Sequence, residues 1–219
     1  MLEIEVRRMR PDERRAAAGV AARGMRDNPI HVAAFGPDPE RRRAALERLF
    51  RVLLAVVPEP PRVALRAGHV VGICGATPPG MCRLAPAALA RVAASVARSG
   101  IGSFARAARW LEAWGARDPE TLHWHVGPVA VEGGLQGLGI GSRLLADLVA
   151  ALDAGGDDAW LETDKAENVV FYRRAGFEVA GEAEVLGVPC WFMARAPGPI
   201  DAFEGGSRSA TGCGRTTER

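Results

Sequence analysis

Val129-Ala130-Val131-Glu132-Gly133-Gly134-Leu135-Gln136-Gly137-Leu138-Gly139-Ile140-Gly141-Ser142-Arg143-Leu144-Leu145 reads as a strand, a glycine-rich turn and a helix in direct succession. Leu144, Leu145 and Leu148 then recur at helical spacing. Glycines let consecutive backbone N–H groups converge on a point that side chains would otherwise obstruct. The helix N-terminus adds a partial positive charge, and the two together hold a phosphate or pyrophosphate. A Walker A loop needs Gly-Lys-Ser/Thr, and no lysine stands here. A dinucleotide fingerprint needs G-x-G-x-x-G, but Gly137-Leu138-Gly139 leads to Ser142 where the third glycine belongs. Two readings remain: a tight connection merely closed by glycines, or the pattern Q-x-x-G-x-G formed by Gln136, Gly139 and Gly141.

A second motif follows 27 positions beyond Gly141, from Asn168: Asn168-Val169-Val170-Phe171-Tyr172-Arg173-Arg174-Ala175-Gly176-Phe177. The first motif resembles the pyrophosphate arm of the GNAT superfamily of N-acetyltransferases. The second resembles that superfamily's N-x-x-x-x-F/Y-Y-x-x-x-G-F signature, with its spacing slightly compressed. The likeness covers residues 122–195 well and the N-terminal half loosely. Within the superfamily, Leu161-Glu162-Thr163-Asp164-Lys165 and Val185-Leu186-Gly187-Val188-Pro189 are similar to actinobacterial members of the puromycin N-acetyltransferase type, a likeness that transfers no substrate. The resemblance implies an α/β GNAT fold, with a mixed central sheet of about seven strands flanked by helices. It also implies acetyl-CoA as co-substrate, and no metal is expected.

By the same resemblance, Gln136, Gly137, Leu138, Gly139, Ile140, Gly141 and Ser142 lie against the donor's pyrophosphate. Backbone groups of Val129, Ala130 and Val131 hold its pantetheine like an added strand, and the Val131 N–H polarises the acetyl carbonyl. Asn168 contacts the pantetheine, and Phe171 and Tyr172 border the thioester. Tyr172, the only tyrosine of the chain, is the candidate general acid, because a phenol of pKa ~10 can protonate a thiolate of pKa ~8.5 to 10. A packed helix aromatic is its alternative. Gly127-Pro128 interrupts the strand, and a bulge there would free backbone donors.

The base is left open. His123 and His125 lie two apart and face the same side of their strand, and a neutral imidazole suits removal of a proton from an ammonium. Arylalkylamine acetyltransferases resemble this in placing a His-x-His on that strand, two residues closer to the Ala-Val. Histidines of the core or surface are the plainer reading. Glu162 is a rival base or a substrate anchor, and the proton could also leave along waters. Trp124 points to the opposite face, into the core.

Outward from these motifs, residues 4–9 read as a strand and 11–25 as a helix weakened by Gly19 and Gly24. Residues 28–39 read as a loop. Pro39 opens a strong helix to about Val56, with Leu46, Leu49, Phe50, Leu53 and Leu54 on one stripe. Residues 62–66 and 69–76 form a hairpin across Ala67-Gly68. Residues 86–115 give two Ala-rich helices split at Ser99-Gly100, read as an insertion (about 84–117) that shapes a substrate pocket. Beyond the first motif come a helix to residue 152, a strand at 159–162, a helix at 168–175 and two strands, 177–185 and 190–194. Residues 1–196 are expected to form one domain, and the tail from Pro197 to be disordered, having little to bury.

The chain has 219 residues, 48% hydrophobic, and a net charge of +2, too small to argue for nucleic acid or an anionic membrane. Lys165 is the only lysine, which reflects coding bias more than a partner. Cys74, Cys82, Cys190 and Cys213 form no C-x-x-C pair, so neither a zinc ribbon nor a disulfide framework is indicated. There is no signal peptide pattern and no apolar run long enough to span a membrane, so a cytoplasmic protein is expected. The expected partner is a small-molecule amine, and a homodimer is possible. An acyl-CoA-binding sensor without turnover and a protein N-acetyltransferase stand as the alternative functions.

Overall fold

The structure, a computed structural model, describes residues 3–198. Its strands are β1 (Glu5–Arg8), β2 (Arg62–Arg66), β3 (His69–Thr77), β4 (Trp124–Val131), β5 (Ala159–Thr163), β6 (Glu178–Val185) and β7 (Val188–Arg195). Its helices are α1 (Arg14–Gly24), α2 (Pro29–Phe35), α3 (Pro39–Val56), α4 (Pro86–Ala97), α5 (Ile101–Gly115), α6 (Ile140–Gly155) and α7 (Ala166–Arg173). The strands form one sheet in the order β1-β2-β3-β4-β5-β7-β6. Every neighbouring pair is antiparallel except β4 and β5, which run parallel. This is the mixed α/β sheet of the expected class.

Side-chain alternation along the strands feeds two cores. Val63, Ile73, Ala130, Trp160 and Phe192 pack with α1 to α5 on one face. Ala64, Cys74, Val131, Leu161 and Met193 pack with α6 and α7 on the other. Ile140, Leu144, Leu145, Leu148 and Leu152 are buried along one stripe of α6. Burying each such side chain stabilises the fold by roughly 1.5–3 kcal/mol, which fixes α6 and its N-terminus against the sheet.

The segment expected to be a loop at residues 28–39 contains α2 instead. Its first helical residue is Pro29, and its cap comes from far away in sequence: the Asp164 carboxylate, just beyond β5, accepts the Ile30 N–H at 2.7 Å. Helix α7 starts at Ala166, ahead of the expected Asn168. The strand through Gly127-Pro128 is continuous, with a cis peptide between them. The tail expected to be disordered lies outside the described residues, apart from Pro197 and Gly198. Among the described residues, no helix is long and apolar enough to cross a membrane.

Candidate active site

Strands β4 and β5 pair only at Trp124 with Ala159 and His125 with Trp160, and then part. The cause lies in β4. Its register against β3 shifts between Cys74 and Ala76, so that Gly127-Pro128 stands opposite Gly75 alone. Gly75 is required there, since a Cβ would come within 2.6 Å of the Gly127 carbonyl oxygen. Beyond this bulge the Glu132 N–H donates to the Val71 carbonyl at 2.9 Å. Antiparallel alternation then turns the Ala130 N–H toward β3 and the N–H groups of Val129 and Val131 away from it, into the gap that β5 has left. The Val131 carbonyl is taken by the Gln136 side-chain amide at 3.0 Å. Gln136, expected against a pyrophosphate, thus braces the turn onto the strand end.

The glycine-rich turn leads straight to the mouth of this gap. Gly137 and Gly139 both have φ of +78°, a region costly for other residues. Gly139 caps α6, and intrahelical bonding begins with the Arg143 N–H on the Gly139 carbonyl. The N–H groups of Ile140, Gly141 and Ser142 therefore have no acceptor within the helix, and they point where its dipole is positive. Leu138 is exposed at the tip of the turn. A Cβ on Gly141 would meet Phe171 and Val131 only at ordinary contact distance, 3.6 Å.

Helix α7 forms the other wall. Its Asn168 Nδ2 donates to Thr163 Oγ1 at 3.1 Å, tying the helix to the end of β5. Phe171 is half-buried beside Gly141. Tyr172 is 7% exposed and packs edge-on against Phe171 and Phe177. Burial first, and then Cys74, Asp164 and Glu162, push its phenol well above the usual tyrosine value, so the group keeps its proton at any physiological pH.

Where β4 and β5 are still paired, several titratable side chains meet. His125 Nε2 lies 2.9 Å from Glu162 Oε2, and the Trp160 indole N–H donates to Glu162 Oε1 at 3.0 Å. The Glu162 side chain is 3% exposed and that of His125 31%, so the imidazole lies in front of the carboxylate. Burial pulls the His125 pKa down. Hydrogen bonds with Asp118, Cys82 and Glu162 outweigh it and hold the group well above the ordinary histidine value. His123 is buried, and its Nδ1–H donates to the Thr121 carbonyl at 2.7 Å. Trp124 packs into the opposite core, as its parity requires.

Sequence reasoning missed three members of this region. Asp118 lies in the loop after α5, 3.2 Å from His123 Nε2, and nothing in its neighbourhood marks it. Asp164 is buried and holds Ile30 N–H and Asn28 Nδ2, bringing α2 to the end of β5. His31 of α2 is buried, with its ring edge-on to Trp110. Its Nδ1–H donates to the Met25 carbonyl at 2.7 Å.

Residues 104–179 match the family model described as acetyltransferase (GNAT) domain. The match spans 76 of the 219 residues and makes that stretch similar to a GNAT acetyltransferase domain. The likeness to solved GNAT-type structures extends over most of the chain at low identity, and at that level it speaks for the fold. A Corynebacterium glutamicum structure, described as histone acetyltransferase HPA2 and related acetyltransferase, is 20% identical with a TM-score of 0.65, covering 90% of this chain and 98% of its own. Drosophila melanogaster polyamine N-acetyltransferase, which forms N-acetylagmatine, is 17% identical with a TM-score of 0.66, covering 89% and 100%. A Brucella melitensis GNAT acetyltransferase in complex with acetyl-CoA is 19% identical with a TM-score of 0.52, covering 91% of each chain.

Proposed function

We propose that this acetyltransferase moves an acetyl group from acetyl-CoA to the primary amine of a small molecule, by direct attack in a ternary complex. The observation that carries the reading is the open edge of β4. The Val129 and Val131 N–H groups face an unfilled strand position that leads to the free N–H groups of Ile140, Gly141 and Ser142. An extended pantetheine amide chain ending in a pyrophosphate has donors and acceptors in that order. The groove between α6 and α7, lined by Ser142, Phe171 and Arg174, continues the path for the rest of the donor.

In the proposed reaction the amine nitrogen attacks the thioester carbonyl, forming the C–N bond and an oxyanion that the Val131 N–H stabilises. Collapse breaks the C–S bond, and the Tyr172 hydroxyl meets the departing thiolate. Its raised pKa makes it a hydrogen-bond donor to the sulfur first, and the source of the thiol's proton as solvent re-enters. The amine's proton passes to the His125–Glu162 pair once the imidazole has lost its own proton. Against burial, Asp118 and Glu162 hold that pKa above the ordinary histidine value, so this route opens as pH rises. His123 takes no part in this scheme, because it is buried with Nδ1 on a carbonyl.

A small cationic acceptor is supported by the carboxylates of Glu162 and Asp118, which meet around His125 beside Trp160. Helices α4 and α5 pack on α3 and α2 on the same side of the sheet, and we read them as narrowing the space for a peptide. Solved neighbours include enzymes that act on agmatine and polyamines. The test is turnover of acetyl-CoA with a library of small amines and with peptides, read by product mass. Acetylated small amines are expected. Acetylated peptides alone would replace the acceptor class. Donor binding without any product would favour a sensor.

A further inference from the structure

We propose that Cys82, Asp118, His123 and His125 form a tetrahedral binding site for a zinc ion, which fastens both ends of the α4–α5 insertion to β4. Cys82 lies in the loop that leads from β3 into α4, and Asp118 in the loop that leads out of α5. The two histidines stand at the start of β4 on one face. The site thus draws three chain segments together.

The distances suit one small ion. His123 Nε2 lies 3.2 Å from Asp118 Oδ1 and 3.8 Å from Cys82 Sγ, and His125 Nδ1 lies 3.5 Å from the same Asp118 oxygen. Ligand atoms of Cys82, His123 and His125 fall within 4.8 Å of one another. A tetrahedral zinc with bonds of about 2.0–2.3 Å sets its ligand atoms about 3.3–3.6 Å apart. Asp118 closes on the two histidines, and rotation of its side chain and that of Cys82 brings all four onto one ion.

Hydrogen bonding is the second observation. Each histidine has its outward nitrogen engaged: Nδ1 of His123 on the Thr121 carbonyl, and Nε2 of His125 on Glu162, itself held by Trp160. That arrangement orients each ring and turns its remaining nitrogen inward, as the outer partners of a metal-bound histidine do. Inside, His123 Nε2 faces the Asp118 carboxylate oxygen at 3.2 Å. Asp118 Oδ1 is buried, and both imidazole nitrogens reach it at ion-pair distance, 3.2 and 3.5 Å, without good hydrogen-bond geometry. A cation satisfies all of these atoms at once. A thiolate, two imidazoles and one carboxylate are the donor set of zinc, and oxygen-seeking magnesium or calcium is a poor match.

The sequence hides this site because its ligands are not in pairs of the C-x-x-C kind. Only His123-x-His125 is local, and Cys82 and Asp118 join it through the packing of the insertion.

The experiment is a titration of the full chain, stripped by a chelator, with cobalt(II) alone, followed by displacement with zinc. One equivalent of cobalt is expected to give ligand-field bands of tetrahedral intensity and a thiolate-to-metal charge-transfer band, both removed by zinc. Cys82→Ser should abolish the charge-transfer band, and Asp118→Asn should weaken cobalt binding at least ~10-fold. Asp147→Asn, on the exposed side of α6, should change neither. Thermal melts of the metal-free variants establish that each one folds. Absence of a saturable one-equivalent spectrum, or a spectrum unchanged in folded Cys82→Ser and Asp118→Asn, would overturn the site.

Discussion

Replacing Tyr172 by phenylalanine deletes one oxygen from a wall of the cleft and leaves the packing in place. Its ring is held by Phe171 and Phe177, with centroids 5.0 and 5.9 Å away, and these contacts survive the change. Among the described residues no protein group is hydrogen-bonded to the hydroxyl, so its loss leaves no orphaned partner, and stability should change by less than about 1 kcal/mol. Chemistry should respond differently. General acids contribute roughly 10²- to 10⁴-fold, but a thiolate of pKa ~8.5–10 leaves tolerably well unprotonated. The expected loss in kcat is therefore about 10- to 1,000-fold, or about 1.4–4 kcal/mol of barrier. The KM for acetyl-CoA should change little. Steady-state rates from product mass, with a thermal melt of both proteins, read the two quantities separately. A folded Tyr172→Phe enzyme with kcat within threefold of the parent would refute the acid role. A large loss of stability would refute the premise that the hydroxyl is structurally idle.

The other predictions concern the donor loop, the cap of α2 and the effect of pH. Gly139→Ala imposes φ near +78° on a residue with a side chain, costing roughly 1–2 kcal/mol, and should lower both the melting temperature and donor affinity. Gly141→Ala should separate the two: its Cβ meets only ordinary contacts and a helix gains from alanine by roughly 0.5–1 kcal/mol, so the melt should hold or rise while acetyl-CoA binding, read by calorimetry, weakens. Asp164→Ala orphans the Ile30 N–H at the buried start of α2, a loss of about 2–4 kcal/mol, which a melt should show as a drop on the order of 10 °C. His31 is held neutral, first by burial, with its pKa below the ordinary value. Its contribution is therefore complete above pH ~6.5 and is lost as pH falls from there toward the lowered folded value. Melting temperatures between pH 7 and 5 should fall more steeply for the parent than for His31→Asn, and equal slopes would contradict the assignment.

What could be read from sequence was what short-range geometry encodes. The run from Val129 to Leu145 states its own strand, turn and helix, because glycine conformation and apolar spacing are local properties. The Gly127-Pro128 irregularity was legible for the same reason. Helix α2 was not. Asn28-Pro29 and Gly36-Pro37 punctuate it like a loop, and the carboxylate that caps it belongs to Asp164, after β5. The parity of His123 and His125 was visible, yet their differing environments were not. One ring is withdrawn onto the Thr121 carbonyl, and the other rests on Glu162. Asp118 could not be found at all, since a lone aspartate in a loop gains meaning only when the insertion folds back on β4.

His125 is asked to serve two chemistries, and the geometry lets it serve one at a time. Its Nε2 belongs to Glu162, so Nδ1 is the nitrogen left for either a proton or a metal. A zinc ion bound there holds the ring as a ligand and closes the route by which the His125–Glu162 pair receives the amine's proton. Turnover should then fall as zinc is added, over the same concentrations at which zinc displaces cobalt. In Cys82→Ser, which keeps His125 and Glu162 but loses a ligand, the inhibition should require at least ~10-fold more zinc. Equal inhibition of both proteins would place the inhibiting ion elsewhere. Full turnover with the site saturated would leave the metal site standing and remove His125 from proton transfer, and the water route would then carry the proton. The strand that opens a gap for the donor with its C-terminal half would in that case use its N-terminal half only to fasten the insertion.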